Sequence, residues 1–406
     1  MQKTSINLSP SKYTMNTRRH FLRMGALAAT AATLIPAHSR ADSPGGAPVA
    51  PAPDNAPPGG LIDLHNHWIS PAALDILSTK TKGVRYVTNE KGEHVLERPG
   101  TPATPQGPRP GGLRGTQMFD GAEVRLRHLD KHGVQRQLIS WPTTSNVDPD
   151  LTADEARLLW AAYNDDLSGL VQTYPDRFSG VAALSTLDID WSAGELARAH
   201  DKLGLIGGVL PVNGFDTLEG AKAFAPVFEV AQKFKSHIYL HTGYANARIP
   251  GQPPSSVHDD SKAARAALDN LWNFTAATIT LAFSGFLNAY PDVTVQVAQL
   301  GGVGGIALVA ESVQQSAATN GIVDIKSKFS RIYLDTGAGG RGPEAIALAT
   351  RVFGAEQILF GTDYGAAASV VPVIENLERS PISAQDREKI FRDNARSLLA
   401  SKGVAV

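Results

Sequence analysis

From residue 61 onward, short apolar and β-branched runs alternate with longer stretches whose apolar residues recur at helical spacing. The short runs predict strands at residues 61–64, 135–140, 178–184, 206–211, 237–241, 293–298, 331–335 and 357–361. The longer stretches predict helices near residues 122–132, 152–174, 191–202, 221–234, 262–289, 307–318, 343–353 and 384–401. Eight strands alternating with helices are typical of an α/β fold in which a parallel sheet closes into a (β/α)8 barrel.

An open, doubly wound sheet is the alternative arrangement of the same elements. That fold carries a glycine-rich phosphate loop after its first strand, whereas this chain continues as Asp63-Leu64-His65-Asn66-His67. A hairpin is predicted between the first strand and the first helix, from residues 85–88 and 94–96, and it leads into Pro- and Gly-rich residues 99–115. We expect this small insertion to lie over the mouth of the barrel.

The first sixty residues have the composition of an export signal followed by a tether. Thr17-Arg18-Arg19-His20-Phe21-Leu22-Arg23 matches a twin-arginine signature, and a weakly apolar run of twelve residues follows it. Twelve residues are too few for a membrane anchor, which needs about 20. We therefore interpret residues 1–41 as a cleaved signal, 42–60 as a linker with six Pro and four Gly, and 61–406 as the barrel. This predicts a periplasmic or secreted protein, exported folded, with no stable membrane anchor.

Charge and cysteine content exclude several classes of protein. The chain has 38 Lys and Arg against 39 Asp and Glu, so it lacks the basic excess of nucleic-acid-binding proteins. Hydrophobic residues make up 42% and charged residues 19%, as in an ordinary globular protein. There is no cysteine, which excludes disulfides, thiolate metal sites and cysteine nucleophiles. A bound metal must therefore be held by His, Asp or Glu.

Candidate metal ligands stand at the carboxyl ends of three predicted strands, where barrels of this type carry their chemistry. The first strand ends in His65 and His67, the fifth in His241, and the eighth in Asp363. Residues i and i+2 of a strand point to the same face, so His65 and His67 can hold one ion. A lone His-x-His pair is a weak signal, but together with His241 and Asp363 it predicts one divalent ion, with Zn²⁺ preferred over Mn²⁺.

At these residues the chain resembles the amidohydrolase-related family, which includes aminocarboxymuconate-semialdehyde decarboxylase, γ-resorcylate decarboxylase and 6-methylsalicylate decarboxylase-like proteins. The resemblance covers about residues 61–400 and implies a metal-dependent barrel. It also implies action on a small aromatic or unsaturated carboxylate, by non-oxidative decarboxylation or by hydrolysis. The segments that carry it are Leu61-Ile62-Asp63-Leu64-His65-Asn66-His67, Tyr174-Pro175-Asp176-Arg177-Phe178, Ile238-Tyr239-Leu240-His241, Ser284-Gly285, Tyr290-Pro291-Asp292-Val293, Leu359-Phe360-Gly361-Thr362-Asp363-Tyr364 and Asn394-Ala395-Arg396-Ser397-Leu398-Leu399.

One position departs from the pattern of that family. After the sixth strand the family usually has His-x-Gly-Gly, whose histidine takes part in catalysis, and this chain has Ala298-Gln299-Leu300-Gly301-Gly302. The amide of Gln299 can hydrogen-bond but cannot accept a proton. Gln299 and Asp363 are therefore the catalytic candidates, and three outcomes stay open. Asp363 handles proton transfer alone, another group such as His258 replaces the histidine, or the usual activity has been lost.

Side chains that follow the predicted strand ends are candidates for substrate contacts. Arg248 and Arg341 could each clamp a carboxylate as a bidentate fork. Trp68 and Trp141 could form an aromatic wall for a planar ring. Each of the four could equally be rim packing or a solvated charge.

Other polar residues are assigned structural roles. His128 and His132 lie four apart on the first helix, but the intervening residues lack the glutamate of a zincin, so we assign them to surface or packing positions. Asp335, at the end of the seventh strand, is interpreted as an orienting or structural residue and not as a ligand.

The predicted function is metal-dependent decarboxylation of a small aromatic or unsaturated carboxylic acid. A metal-dependent hydrolase of a lactone, ester or amide is the first alternative, because it would use the same ligands. A catalytically weak binding protein is the second. The expected partner is a small carboxylate and not a nucleic acid, and the sequence is compatible with a homodimer.

Overall fold

The computed structural model describes residues 60–88, 90, 92, 94–97, 117–252, 262–316, 324–337 and 342–406. The predicted signal and residues 42–59 of the predicted linker lie outside the described residues, as do His258 and Arg341. None of the helices in these described ranges combines the length and the hydrophobicity that a membrane-spanning segment requires.

Strands occur at all eight positions where the sequence predicts them, with ends that differ by a few residues. The predicted hairpin is also confirmed as an antiparallel pair. The strands in chain order are β1 Leu61–His67, β2 Arg85–Thr88, β3 His94–Glu97, β4 Val134–Ser140, β5 Phe178–Gly180, β6 Ala182–Ala183, β7 Gly207–Pro211, β8 His237–His241, β9 Thr294–Val297, β10 Ile332–Asp335 and β11 Ile358–Leu359.

The parallel strands form the wall of a barrel. β1 pairs with β4 and β4 with β5, while β6 to β11 pair in chain order. β5 and β6 are two parts of one strand, because Val181 between them still donates its N–H to the Ile139 carbonyl at 3.1 Å. The ring closes where Leu64 N–H donates to the Phe360 carbonyl at 2.9 Å and Thr362 N–H donates to the His65 carbonyl at 3.1 Å. The predicted (β/α)8 architecture is therefore confirmed.

Helices cover the outside of the barrel, and their ends carry the predicted signals. The hydroxyl of Thr152 accepts from Glu155 N–H at 3.3 Å while Thr152 N–H donates to the Glu155 carboxylate at 2.8 Å, which is the predicted capping box. The helices are α1 Pro71–Ser78, α2 Ala122–Lys131, α3 Ala153–Thr173, α4 Ile189–Leu203, α5 Leu218–Ala223, α6 Ala225–Phe234, α7 Lys262–Phe283, α8 Val303–Gln315, α9 Ile325–Lys328, α10 Pro343–Phe353, α11 Val371–Arg379, α12 Ala384–Glu388 and α13 Asn394–Ser401.

The helices differ from the prediction in two ways. The sequence pattern does not predict α1, α9 or α11, which have only eight, four and nine residues. Three predicted helices are also shorter or divided. Residues 221–234 form α5 and α6, because Pro226 favours the first turn of a new helix. The helix predicted at residues 262–289 ends at Phe283, shortly before Gly285, whose φ angle is 80°. A π turn at Lys389–Asp393 divides residues 384–401.

Candidate metal centre

Three histidines and one aspartate meet at the carboxyl ends of β1, β8 and β11. His67 Nε2 lies 3.1 Å from His241 Nε2. One carboxylate oxygen of Asp363 lies 3.2 Å from His67 Nε2 and 3.4 Å from His65 Nε2. The four candidate ligand atoms all lie within 4.8 Å of one another. The structure thus brings together the four ligands that the sequence predicts.

The spacing of these atoms fits a single ion. Ligands about 2.0–2.2 Å from a tetrahedral Zn²⁺ stand about 3.3 Å apart, close to three of the distances between the ligand atoms here, which are 3.1, 3.2 and 3.4 Å. His65 Nε2 is buried and has no hydrogen-bond partner within the described ranges. A buried polar atom without a partner is costly, and coordination of a metal removes that cost. We conclude that the donor set fits a divalent metal ion.

The second ring nitrogen of each histidine is held by a neighbouring side chain. Histidines that bind metals typically make such a contact, which determines the tautomer and the orientation of the ring. The Nδ1 contacts are His65 with the Asp335 carboxylate at 2.9 Å, His67 with the Ser140 hydroxyl at 3.2 Å and His241 with the Thr143 hydroxyl at 3.0 Å. The predicted orienting role of Asp335 is confirmed, whereas the sequence does not predict Ser140 or Thr143.

The two hydroxyls reveal which ring nitrogen carries the proton. Ser140 donates its only hydroxyl hydrogen to the Asn66 carbonyl at 3.0 Å, and Thr143 donates its own to the Thr242 carbonyl at 2.7 Å. Each hydroxyl can therefore only accept from a histidine Nδ1–H. The Asp335 carboxylate likewise accepts from His65. The neutral rings of His67 and His241 thus present an unprotonated Nε2 to the centre. His65 donates its Nδ1–H away from the centre, and metal binding there would displace a proton from its Nε2.

The electrostatics of the site favour a positive charge at its centre. Burial lowers the pKa of His67 and holds the pKa of His241 well below its ordinary value, so both rings are neutral. Burial also lowers the pKa of His65, but Asp335 and Asp363 outweigh it and raise the pKa to about 10. Burial raises the pKa of Asp363, but the close contacts of its carboxylate with His65 at 3.4 Å and His67 at 3.2 Å hold this pKa well below its usual range. A divalent ion supplies the positive charge that these carboxylates stabilise.

Two predicted site residues have a left-handed backbone conformation. The φ angles are 58° at Asp363 and 53° at Gln299, values that residues other than glycine rarely adopt and that concentrate at functional sites. Asp363 N–H donates to the His65 carbonyl at 2.7 Å, which holds its carboxylate beside β1. Gln299 N–H donates to the Asp335 carboxylate at 3.0 Å. Gln299 therefore contacts Asp335, the residue that orients His65, and its catalytic role stays a prediction.

The two tryptophans that the sequence offers as substrate contacts are buried. Trp68 is 8% exposed and Trp141 is 2% exposed. The ring of Trp141 packs edge-on against Trp160 at 4.9 Å and Tyr163 at 5.1 Å. Trp141 also borders a small cavity next to Thr143. Burial indicates packing for both tryptophans, and substrate contact stays a prediction. The side chain of Arg248 is exposed on the loop after β8, and its role also stays a prediction.

Arg125 contacts the backbone of the metal site but is not among the residues predicted from the sequence. This α2 side chain is 1% exposed. It donates to the His67 carbonyl and, at 2.9 Å, to Gln137 Oε1, and it lies 4.9 Å from the centre of the Tyr364 ring. Helical spacing could have indicated its burial, because Arg125 is four positions before buried Leu129 and therefore lies on the same inner face of the helix.

His128, from the same helix, stacks on the ring of Tyr364 at 4.7 Å. The predicted packing role of His128 is thus confirmed.

Comparisons with known proteins agree with this geometry. The family model described as amidohydrolase matches residues 62–400. The γ-resorcylate decarboxylase of Rhodococcus jostii (strain RHA1) is 24% identical over 313 residues, which are 70% of this chain and 88% of that protein.

Two solved structures share the fold. The 5-carboxyvanillate decarboxylase of Sphingomonas paucimobilis has a TM-score of 0.63 and 19% identity, covering 84% of this chain and 99% of that one. A dihydroxybenzoic acid decarboxylase of Polaromonas sp. JS666, with bound manganese and the inhibitor 2-nitroresorcinol, has a TM-score of 0.57 and 22% identity, covering 84% and 97%.

Proposed function

The chain belongs to the amidohydrolase family, and from this premise we propose that it is a metal-dependent decarboxylase of a hydroxylated benzoic acid. The observation that carries the proposal is the centre of three oriented imidazoles and one carboxylate at the mouth of the barrel. The relatives support the substrate class, since γ-resorcylate, dihydroxybenzoate and carboxyvanillate are all planar aromatic carboxylates with ring oxygens.

The residues of the site have different roles in this reaction. A divalent ion bound at the centre would supply a Lewis acid for the substrate. The three imidazoles hold the ion. The side chain of Asp363 is 13% exposed, whereas those of His65 and His67 are fully buried, so Asp363 is the ligand best placed to meet the substrate. When the bond from the ring to the carboxylate breaks and CO₂ leaves, the electron pair of that bond stays on the ring carbon. Asp363 would relay to this carbon a proton taken up from the solvent.

Turnover by the metal-loaded protein tests this function. We expect CO₂ release from 2,6-dihydroxybenzoate and related hydroxybenzoates. The change in the ultraviolet absorbance of the ring measures this reaction. Lactones and aryl esters should be poor substrates. Hydrolysis of these compounds without CO₂ release from any hydroxybenzoate would contradict the proposal and support the hydrolase. That alternative is favoured by one observation, the amide of Gln299 where the family usually has a catalytic histidine.

Substitutions at Gln299 separate a hydrogen-bonding role from a catalytic one. Gln299→Ala should have a mild effect, because it removes only a hydrogen bond, which is worth about 0.5–1.5 kcal/mol. Gln299→His should raise the rate of decarboxylation or add an inflection to the pH profile near the ordinary histidine pKa of about 6.5. The measurement is kcat/KM against pH for both variants and the parent protein. A loss beyond about a thousandfold in Gln299→Ala with the metal retained would show that the amide itself is catalytic.

We propose Zn²⁺ as the resident ion in preference to Mn²⁺. Three imidazole nitrogens and one carboxylate form a nitrogen-rich set, which suits Zn²⁺ better than the oxygen-rich sets typical of Mn²⁺. Elemental analysis of protein purified without added metal checks this choice. A predominance of manganese, which is bound in the Polaromonas neighbour, would contradict it.

We also propose that the protein is exported in its folded state. The support is the paired Arg18 and Arg19 before a short apolar run. Replacing both arginines by lysine should leave the precursor in the cytoplasm, as measured by cell fractionation and immunoblotting. Arg23→Lys, outside the pair, is the matched control and should be exported normally. Normal export of the double variant would rule out the twin-arginine route.

A further inference from the structure

Buried hydrogen bonds continue from the metal centre toward the opposite end of the barrel. The fully buried side chain of Gln296, on β9, donates from Nε2 to the Asp335 carboxylate at 2.7 Å and to the Leu64 carbonyl at 3.0 Å. Its Oε1 lies 3.1 Å from His237 Nε2. His237 Nδ1 lies 3.0 Å from the Thr294 hydroxyl. Barrel interiors are usually filled by branched apolar side chains, so this polar chain calls for a separate explanation.

The donor and the acceptor of each of these buried hydrogen bonds can be assigned from the chemistry of the groups involved. The two groups that face Gln296 Nε2 are oxygens that only accept, so the amide nitrogen must face them and Oε1 must face His237. His237 Nε2 therefore carries the hydrogen and donates it. Burial lowers the pKa of His237 to about 3, so the ring is neutral and its Nδ1 accepts from Thr294. His237 thereby holds the amide of Gln296 in a single orientation.

The Asp335 carboxylate transmits this orientation to the metal centre. One oxygen accepts from Gln296, and the other accepts from His65 Nδ1 at 2.9 Å and from Gln299 N–H at 3.0 Å. The carboxylate is planar and fully buried, so holding one oxygen determines where the other lies. The position of that second oxygen sets the direction in which His65 presents its Nε2.

We propose that Gln296 is a positioning residue of the metal centre, acting through Asp335 on the ring of His65. His237 and Thr294 support it by orienting its amide. The proposal rests on the metal centre and not on the proposed reaction. Metal binding therefore tests it even if the turnover assays find no decarboxylation.

Gln296→Met tests the proposal, because methionine has nearly the same size and no hydrogen-bond donor. We expect the Kd for Zn²⁺ to rise about tenfold, the lower end of the effect of losing an outer-shell partner. Competition with a chromophoric chelator measures this Kd. In the Co²⁺-substituted protein, the visible absorption bands should shift, because the ligand field changes when the His65 ring turns.

Asn164→Leu is the matched control. Asn164 is a fully buried amide with bonds to the main chain of Ala183 and to Glu195, and none of these partners holds a metal ligand. This variant should lower the melting temperature and leave both the Zn²⁺ affinity and the Co²⁺ spectrum unchanged. An equal loss of metal in Asn164→Leu would overturn the proposal, since any damage to packing would then have the same effect.

A second variant keeps the proposal testable if Gln296→Met does not fold. Gln296→Glu retains size and polarity but places a carboxylate oxygen against Asp335 where the amide donor stood. It should also weaken Zn²⁺ binding and shift the Co²⁺ bands. Binding of Zn²⁺ within about threefold of the parent protein, with an unchanged spectrum in a folded Gln296 variant, would show that the amide only fills space.

Discussion

A His241→Ala variant is expected to lose both the metal ion and the catalytic activity. His241 supplies one of the four converging ligand atoms, and its Nε2 lies 3.1 Å from that of His67. Alanine leaves three ligands and a cavity that water can enter. A metal ion contributes several kcal/mol of transition-state stabilisation, so the rate should fall by at least about a thousandfold. Elemental analysis of the purified variant, alongside turnover, provides the measurement. His65→Ala should behave in the same way.

His128→Ala is the control for this prediction. His128 stacks on Tyr364 and accepts a weak hydrogen bond from Val370 N–H, but it offers no atom to the centre. The variant should therefore keep one equivalent of metal. Full metal occupancy in His65→Ala and His241→Ala would refute the assignment of the ligands.

An Asp363→Asn variant is expected to lose activity even where metal is supplied in excess. The amide removes the negative charge that the site places beside His65 and His67, and it removes the group that moves the proton. General acid–base catalysis is typically worth 10²–10⁴-fold, so we expect a loss of about that size at saturating metal. The rate should be measured as a function of added Zn²⁺, which separates weaker binding from slower chemistry. Recovery of the full rate at high Zn²⁺ would assign Asp363 to metal binding alone.

Asp216→Asn is the matched control for the carboxylate. Both side-chain oxygens of Asp216 are buried and have no hydrogen-bond partner among the residues that the structure describes. Burial raises the pKa of Asp216 to about 8, so most of the carboxyl is neutral at pH 7. An amide should therefore replace it with little change in activity or metal content.

Local pattern is enough to predict the barrel and its metal ligands. Strands and helices can be predicted from apolar residues that recur every two or every 3.6 positions. This pattern is local, because it involves only residues close together in the sequence. His65 and His67 face one way because they are two apart on β1. His241 and Asp363 join them because parallel strands of a barrel all end at the same rim.

Short or interrupted helices are less visible in the sequence. α1 begins with the usual signals, Ser70 as its cap and Pro71 in its first turn. It has only eight residues, however, which is too short for a clear helical pattern of apolar residues. The π turn at Lys389–Asp393 leaves the apolar pattern of the last helix nearly unchanged. In such segments, tertiary packing decides where a helix begins, ends or divides.

The sequence by itself determined the fold class, the four ligands and the unusual glutamine at position 299. Only the tertiary structure decided which side chains orient those ligands. His65 and Asp335 are separated by 270 positions, and His241 and Thr143 by 98. No periodic pattern links residues so far apart, because such contacts depend on the closure of the barrel and on the rotamer of each buried side chain. The protonation of His67 and His241, the burial of Arg125 and the hydrogen bonds of Gln296 were decided in the same way, since a buried polar group takes whichever partner the folded chain brings within reach.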